Sequence, residues 1–252
     1  MKKRLLAGIA ILFILLTALY LGDFFLRAFL LVISMIAMQE LGICLGLEVK
    51  KVYLPIIFAV FYFMYPQIFV ENFFAIISAW LIVCMTYLVI KNENPRNVIV
   101  QFFLPMYIVI PFSFIYLLSY YGILVLLIFT TSFGTDTFAY FLGKLFGKKK
   151  LTKISPSKTV VGAVGGVIGG TLLSLLFWNF TGDITILIVI AFLAITILSE
   201  VGDLAASVIK RHLNIKDYGT LIPGHGGILD RFDSVIFTAP LVYFLVEFMV
   251  GL

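Results

Sequence analysis

Residues Glu200–Ser234 read EVGDLAASVIKRHLNIKDYGTLIPGHGGILDRFDS, and apolar runs at 184–203 and 234–252 flank this stretch. Each run is long enough for a membrane span, which takes about 20 residues. The stretch between them therefore predicts two transmembrane helices joined by a polar segment at a membrane surface. Further apolar segments of spanning length lie at 5–21, 24–47, 52–69, 72–90, 98–119, 122–143 and 160–180. The 252 residues are 62% hydrophobic and 12% charged, whereas soluble domains average about 45–50% and 25%. The expected fold is all-α, a polytopic integral membrane helical bundle of about nine transmembrane helices. Helices satisfy their own backbone groups in lipid, so no water-soluble core is required.

Charge placement orients the bundle. With the N-terminus in the cytoplasm and nine spans threaded, the loops carrying Lys50/Lys51, Lys91/Arg96, Lys144 to Lys158 and Lys210 to Arg231 all face the cytoplasm. Of 18 Lys and Arg, only Arg27 falls outside, as the positive-inside rule predicts. The C-terminus is then external. The net charge of +5 reflects this topology, and no nucleic-acid partner is expected. Met1-Lys2-Lys3-Arg4 and the apolar residues after it resemble a signal peptide. The run is longer than an h-region of about 7–15 residues and lacks a small-x-small cleavage site, which favours an uncleaved first span. Cys44 and Cys84 lie in apolar runs without metal-ligand spacing and read as reduced, packed thiols.

The polar stretch concentrates the chemistry. Its carboxylates suit Mg²⁺, which is usually held by one or two carboxylates plus substrate phosphates. Lys210, Arg211, Lys216 and Arg231 can neutralise phosphate oxygens. Gly224, Gly226 and Gly227 allow backbone N–H groups to approach an anion. No nucleophile with its own base is evident, so the set points to phosphoryl or nucleotidyl transfer. Thr196, Glu200, Asp203, Ser207 and Lys210 recur every three or four residues, one polar stripe on a helix. Ser132, Asp136, Tyr140 and Lys144 form a second stripe. An aspartate such as Asp136 within a span is costly unless it is paired, ligates a cation or lines a wet cavity. Glu40, in the second span, is either functional, or else a helix–helix hydrogen bonder or a residue close to the interface, and the latter reading is preferred. Gly162, Gly166 and Gly170 favour close helix packing over a phosphate loop, because no strand precedes them.

The series Ser207-x-x-Lys210-Arg211-x4-Lys216-Asp217-x-Gly219-x3-Pro223-x-His225-Gly226-Gly227-x-x-Asp230-Arg231-x-Asp233 resembles the signature of the phosphatidate cytidylyltransferase (CDP-diacylglycerol synthase) family. Asp136-Thr137-x-Ala139-Tyr140-x-x-Gly143 with Gly147-Lys148, and Ser155-Pro156-x-Lys158-Thr159, are similar to two further elements of that family. The chain departs from the pattern at Ser157, Val161 and Ala206, each in place of a charged residue. Glu200, about two turns before Ser207, is the candidate substitute for the carboxylate missing at Ala206.

The resemblance implies an enzyme that joins CTP and phosphatidate to give CDP-diacylglycerol and pyrophosphate in phospholipid biosynthesis. It implies Mg²⁺, with a second cation left open, and a homodimer among membrane lipids. Localisation to a bacterial inner membrane, with the active site facing the cytoplasm, is expected. Residues 1–121 are assigned to scaffold and 122–252 to the catalytic region, with the signature at 199–234. Asp203, Asp230, Lys210 and Arg211 are the candidate catalytic residues. Asp203 and Asp230 are the principal candidate metal ligands, with Asp136, Asp217 and Asp233 as further ligands. Ser155, Lys158, Ser207, Lys216, His225, Gly226, Gly227 and Arg231 are candidates for substrate binding. His225 is read as a phosphate contact, because a phosphate monoester with a second pKa of about 6 needs no general base. Two alternatives differ in class: a CTP-dependent enzyme acting on another lipid phosphate or a polyprenol, and a non-catalytic lipid- or ion-binding or transport protein. A CDP-alcohol phosphotransferase is disfavoured, since its aspartate series is missing.

Overall fold

The structure is a computed structural model that describes residues 13–152, 154–221 and 226–250. Residues 13–21 are helical. They are followed by α1 (Asp23–Cys44), α2 (Tyr53–Met64), α3 (Pro66–Glu71), α4 (Phe73–Lys91), α5 (Pro95–Ser119), α6 (Leu126–Phe146), α7 (Val160–Trp178), α8 (Ile186–His212) and α9 (Leu229–Val250). Among the described residues, seven helices are long and apolar enough to cross a membrane: α1 and α4 to α9, with α6 prolonged backward to Gly122. This is the all-helical membrane bundle expected. The expected span at 5–21 lies partly outside the described residues, and the one at 52–69 is broken.

The break has a local cause. Proline lacks an N–H, and it disfavours the α conformation in the residue before it. Tyr65, preceding Pro66, adopts φ −130° and ψ 56°, so α2 stops and α3 starts anew. The carbonyls this leaves at the end of α2 find a donor in Arg27, whose Nη1 lies 3.4 Å from Phe63 O and 3.5 Å from Met64 O. Arg27 is also paired with Asp23 one turn earlier, and it stands 6.0 Å from the centre of the Tyr116 ring. The one cation outside the positive-inside pattern therefore has a structural task. It is neutralised by its neighbour and caps a broken helix.

The chain forms two compact units. One contains residues up to Tyr116 together with Asp217–Arg231; the other contains Leu117–Lys216 and Phe232–Leu252. Most of α5, a helix of 25 residues that continues through Pro105 and Pro111, lies in the first, and Leu104, Ile108, Phe112 and Ile115 on it are fully buried. On α1, Leu30, Ala37, Met38 and Leu41 are likewise buried.

In the second unit α6 and α7 lie flush along a glycine face. A Cβ added to Gly165 would run into Leu142, one at Gly169 into Phe138, and one at Gly170 into Thr135. A Cβ at Gly166 would lie 2.8 Å from that of Ala139. Small residues let helix backbones approach and gain dispersion contacts where lipid supplies no hydrophobic drive. The glycine series is thus a packing face. Hydroxyl pairs add cross-links: Thr131 of α6 with Ser174 of α7 at 2.8 Å, and Thr171 of α7 with Thr196 of α8 at 3.0 Å.

Candidate active site

The segment between α6 and α7 doubles back on itself. Leu151 N donates to Lys158 O at 2.9 Å, Val160 N donates to Lys149 O at 3.0 Å, and Lys150 forms an antiparallel bridge with Thr159. The Thr159 hydroxyl then accepts from Gly162 N at 3.1 Å and caps α7. This tight return aims the Lys158 side chain at α8. Its Nζ lies 2.7 Å from Asp203 Oδ2 and 3.1 Å from Glu200 Oε2. Burial works against the Lys158 ammonium, but the Asp203 and Glu200 carboxylates outweigh it and hold the pKa above the ordinary 10.5. Glu200 is buried, and its second oxygen, Oε1, has no hydrogen-bond partner. That oxygen sits where a Cβ on Gly166 would lie 2.7 Å away.

Around this pair stand Asp136 of α6 and Asp233 of α9. The Ser234 hydroxyl donates to Asp136 Oδ2 at 3.2 Å and accepts from the Ser132 hydroxyl at 2.7 Å. Asp233 takes the Ser234 N–H at 2.9 Å and faces Lys210 Nζ at 3.8 Å. Asp136, Asp203 and Asp233 lie close enough to feel one another's charge. Four carboxyl groups, those of Asp136, Glu200, Asp203 and Asp233, thus gather around the ammonium groups of Lys158 and Lys210 in a partly buried place. Like charges gathered away from bulk water repel one another, and Lys158 and Lys210 offset part of that repulsion here.

Among the described residues, no three His, Cys, Asp or Glu side chains are disposed as a ready metal cage. The cluster fits an ion that brings oxygen ligands with it. Mg²⁺ is such an ion, since it binds through one or two carboxylates and completes its shell with phosphates and water.

The signature residues from 217 to 231 belong to the other unit. Asp230 Oδ2 accepts from Tyr218 N at 2.8 Å and from Gly227 N at 2.9 Å. Gly226 has φ +84°, a conformation that favours glycine, and a Cβ there would lie 2.6 Å from Asp230 Oδ2. Asp217 and Lys216 are exposed, Arg231 is half-buried, and His225 lies outside the described residues. On α8, Ser207 is half-buried and Arg211 exposed. The Arg211 guanidinium donates to Ile154 O at 3.4 Å and to Ile215 O at 3.0 Å, which ties α8 to the return that carries Ser155 and Lys158.

The sequence reading did not single out Ser234. Its signal was available: it closes the polar stretch, beside Asp233. Of the three departures, Ser157 and Val161 are exposed, and Ala206 is fully buried. Glu200, read as a substitute for the carboxylate missing at Ala206, pairs with Lys158.

The sequence matches the cytidylyltransferase family over residues 2–249. The chain belongs to that family. Among other cytidylyltransferases, it is 35% identical over 260 aligned positions to a phosphatidate cytidylyltransferase of Staphylococcus haemolyticus, covering 97% of this chain and 98% of the relative. It is 34% identical over 261 positions to one of Staphylococcus aureus, with the same coverage. A higher identity, 46% over 134 residues, relates it to a phosphatidate cytidylyltransferase of a Synechocystis strain. That match spans 50% of this chain and 44% of the relative.

Proposed function

We propose that this cytidylyltransferase transfers the cytidylyl group of CTP to phosphatidate, giving CDP-diacylglycerol and pyrophosphate in a Mg²⁺-dependent reaction. The observation that carries this is the end-to-end similarity to the two staphylococcal proteins named phosphatidate cytidylyltransferase. The buried carboxylate–lysine cluster is its physical counterpart, since nucleotidyl transfer depends chiefly on positioning and charge neutralisation.

A phosphate oxygen of phosphatidate forms the new bond to the α-phosphorus of CTP. The bond from that phosphorus to the bridging β-oxygen breaks, and pyrophosphate leaves with the electron pair. Lys158, Lys210, Arg211 and Arg231 hold phosphate oxygens of the two substrates, together with Lys216, Ser155, Ser207 and His225. Backbone N–H groups at Gly226 and Gly227 add neutral donors. Asp203 and Asp230 would hold Mg²⁺, with Asp136, Asp217 and Asp233 as further ligands. When bound, the ion supplies charge neutralisation at the triphosphate. Asp203 also orients Lys158, and Asp136 is held in place by Ser234.

The reaction belongs at the cytoplasmic face of a bacterial inner membrane. The asymmetry of Lys and Arg supports this, and CTP is a cytosolic solute that cannot cross the bilayer. Homodimerisation rests on the family resemblance alone.

A lipid panel tests the substrate. CTP consumption by the purified protein in mixed micelles should require phosphatidate, and diacylglycerol or a polyprenol should not replace it. Equal or faster consumption with either of those lipids would overturn phosphatidate as the substrate.

A further inference from the structure

We infer that Glu40 is a positioning residue for the signature turn, clamping the start of α9 from the distant helix α1. The inference rests on the cytidylyl-transfer reading of that turn. The first N–H groups of a helix have no partner within the helix. Most helices cap them with a Ser, Thr, Asp or Asn just before the first turn, but here the residue before Leu229 is Ile228, which cannot. Glu40 takes that place from 188 residues away. Its Oε1 accepts from Ile228 N at 3.0 Å and its Oε2 from Leu229 N at 3.0 Å. Two bonds to one rigid carboxylate fix both the position and the direction of the turn. The negative charge also complements the positive end of the α9 dipole.

The surrounding residues are cut to this side chain. A Cβ on Gly219 or on Gly227 would collide with the Glu40 carboxylate. Two glycines of the signature are thereby explained as room for Glu40. One turn further along α1, the Cys44 thiol donates to Tyr218 O at 3.4 Å. Tyr218 N and Gly227 N in turn both donate to Asp230 Oδ2. One face of α1 therefore grips both strands of the turn, and the same turn sets the carboxylate of Asp230. This is a hydrogen bond between helices α1 and α9, as preferred from the sequence, but its donors are backbone groups within a signature element, so its loss changes the shape of that element.

Glu40→Gln keeps the shape of the side chain but turns an NH₂ group toward one of the two backbone donors. Glu40→Asp keeps the charge but is one methylene short of reaching both. Hydrogen exchange of the Ile228 and Leu229 amides, measured on the full-length protein in detergent, reports the clamp without any substrate. We expect exchange at least about tenfold faster in Glu40→Gln, with exchange elsewhere unchanged. The ratio kcat/KM for CTP should fall about 10- to 100-fold, and Glu40→Asp should lie between wild type and Glu40→Gln in both readouts.

Unchanged exchange at 228–229 overturns the clamp. Faster exchange with wild-type kcat/KM overturns the positioning role. If the wild-type protein consumes no CTP with phosphatidate, the reaction reading fails separately. Equilibrium CTP binding then decides, with weaker binding in Glu40→Gln expected and equal binding contradicting the inference. Should Glu40→Gln not fold, Glu40→Asp carries the same comparison.

Discussion

Asp203→Asn is expected to lower phosphatidate-dependent CTP turnover by about 10³-fold, the loss typical when a charged or dipolar group aimed at the reacting centre is removed. The substitution is isosteric, and the Asp203 side chain is one-quarter exposed at 25%, so packing on α8 persists. Lys158 loses one carboxylate partner but retains Glu200 at 3.1 Å. The unfolding temperature in detergent should therefore move by no more than a few degrees while activity collapses. A variant that keeps more than about a tenth of wild-type turnover would remove Asp203 from the catalytic centre.

Lys158→Met should affect both activity and stability. It leaves Glu200 and Asp203 facing each other without a cation, and breaking a buried pair on one side is strongly destabilising, by about 3–5 kcal/mol. Both Lys158 and Asp203 keep some access to water, which places the expected loss at about 3 kcal/mol. Turnover should fall by about 10²- to 10³-fold, because a phosphate-neutralising group is lost as well. The double variant Lys158→Met/Glu200→Gln separates the two effects. With one of the stranded carboxylates neutralised, most of the stability should return, but turnover should not. Recovery of turnover in the double variant would reduce Lys158 to a structural counter-ion.

The pH dependence of this clamp has a definite sign. The Lys158 pKa is raised in the folded protein from the ordinary 10.5. Its stabilisation is then complete below about 10.5 and is lost only as the pH rises through the higher folded value. The stability difference between wild type and Lys158→Met should accordingly be flat across the neutral range. A difference that shrinks near pH 8 would contradict the Lys158–Asp203–Glu200 pairing.

The fold class was legible because lipid imposes one demand on every segment: long apolar runs must be helical. The exception is informative. Pro66 ends α2 at Tyr65, and a hydropathy average over 52–69 does not register the loss of one N–H. The stripe from Thr196 to Lys210 was legible from helical spacing alone, and so was the face bearing Ser132 and Asp136. Pairing across the chain was not. Nothing in the run Lys148 to Thr159 marks the antiparallel return that turns Lys158 toward Glu200, because it depends on two backbone hydrogen bonds and not on side-chain pattern. Glu40 stood out as a charge in an apolar span, but its partners are the N–H groups of Ile228 and Leu229. Backbone donors leave no trace in side-chain chemistry, so no reading of residue types could have paired position 40 with position 228. Ser234 was similarly hidden: a serine at the start of an apolar helix is unremarkable until Asp136 and Ser132 are found beside it.

The most direct test follows the label from CTP into lipid. Purified protein in mixed micelles with phosphatidate and Mg²⁺ should move label from the α-phosphate of CTP into the lipid fraction, in step with released pyrophosphate. Label from the γ-phosphate should stay in the aqueous phase. Lipid labelled from the γ-phosphate, or no lipid labelling from folded protein that binds CTP, would contradict cytidylyl transfer to phosphatidate.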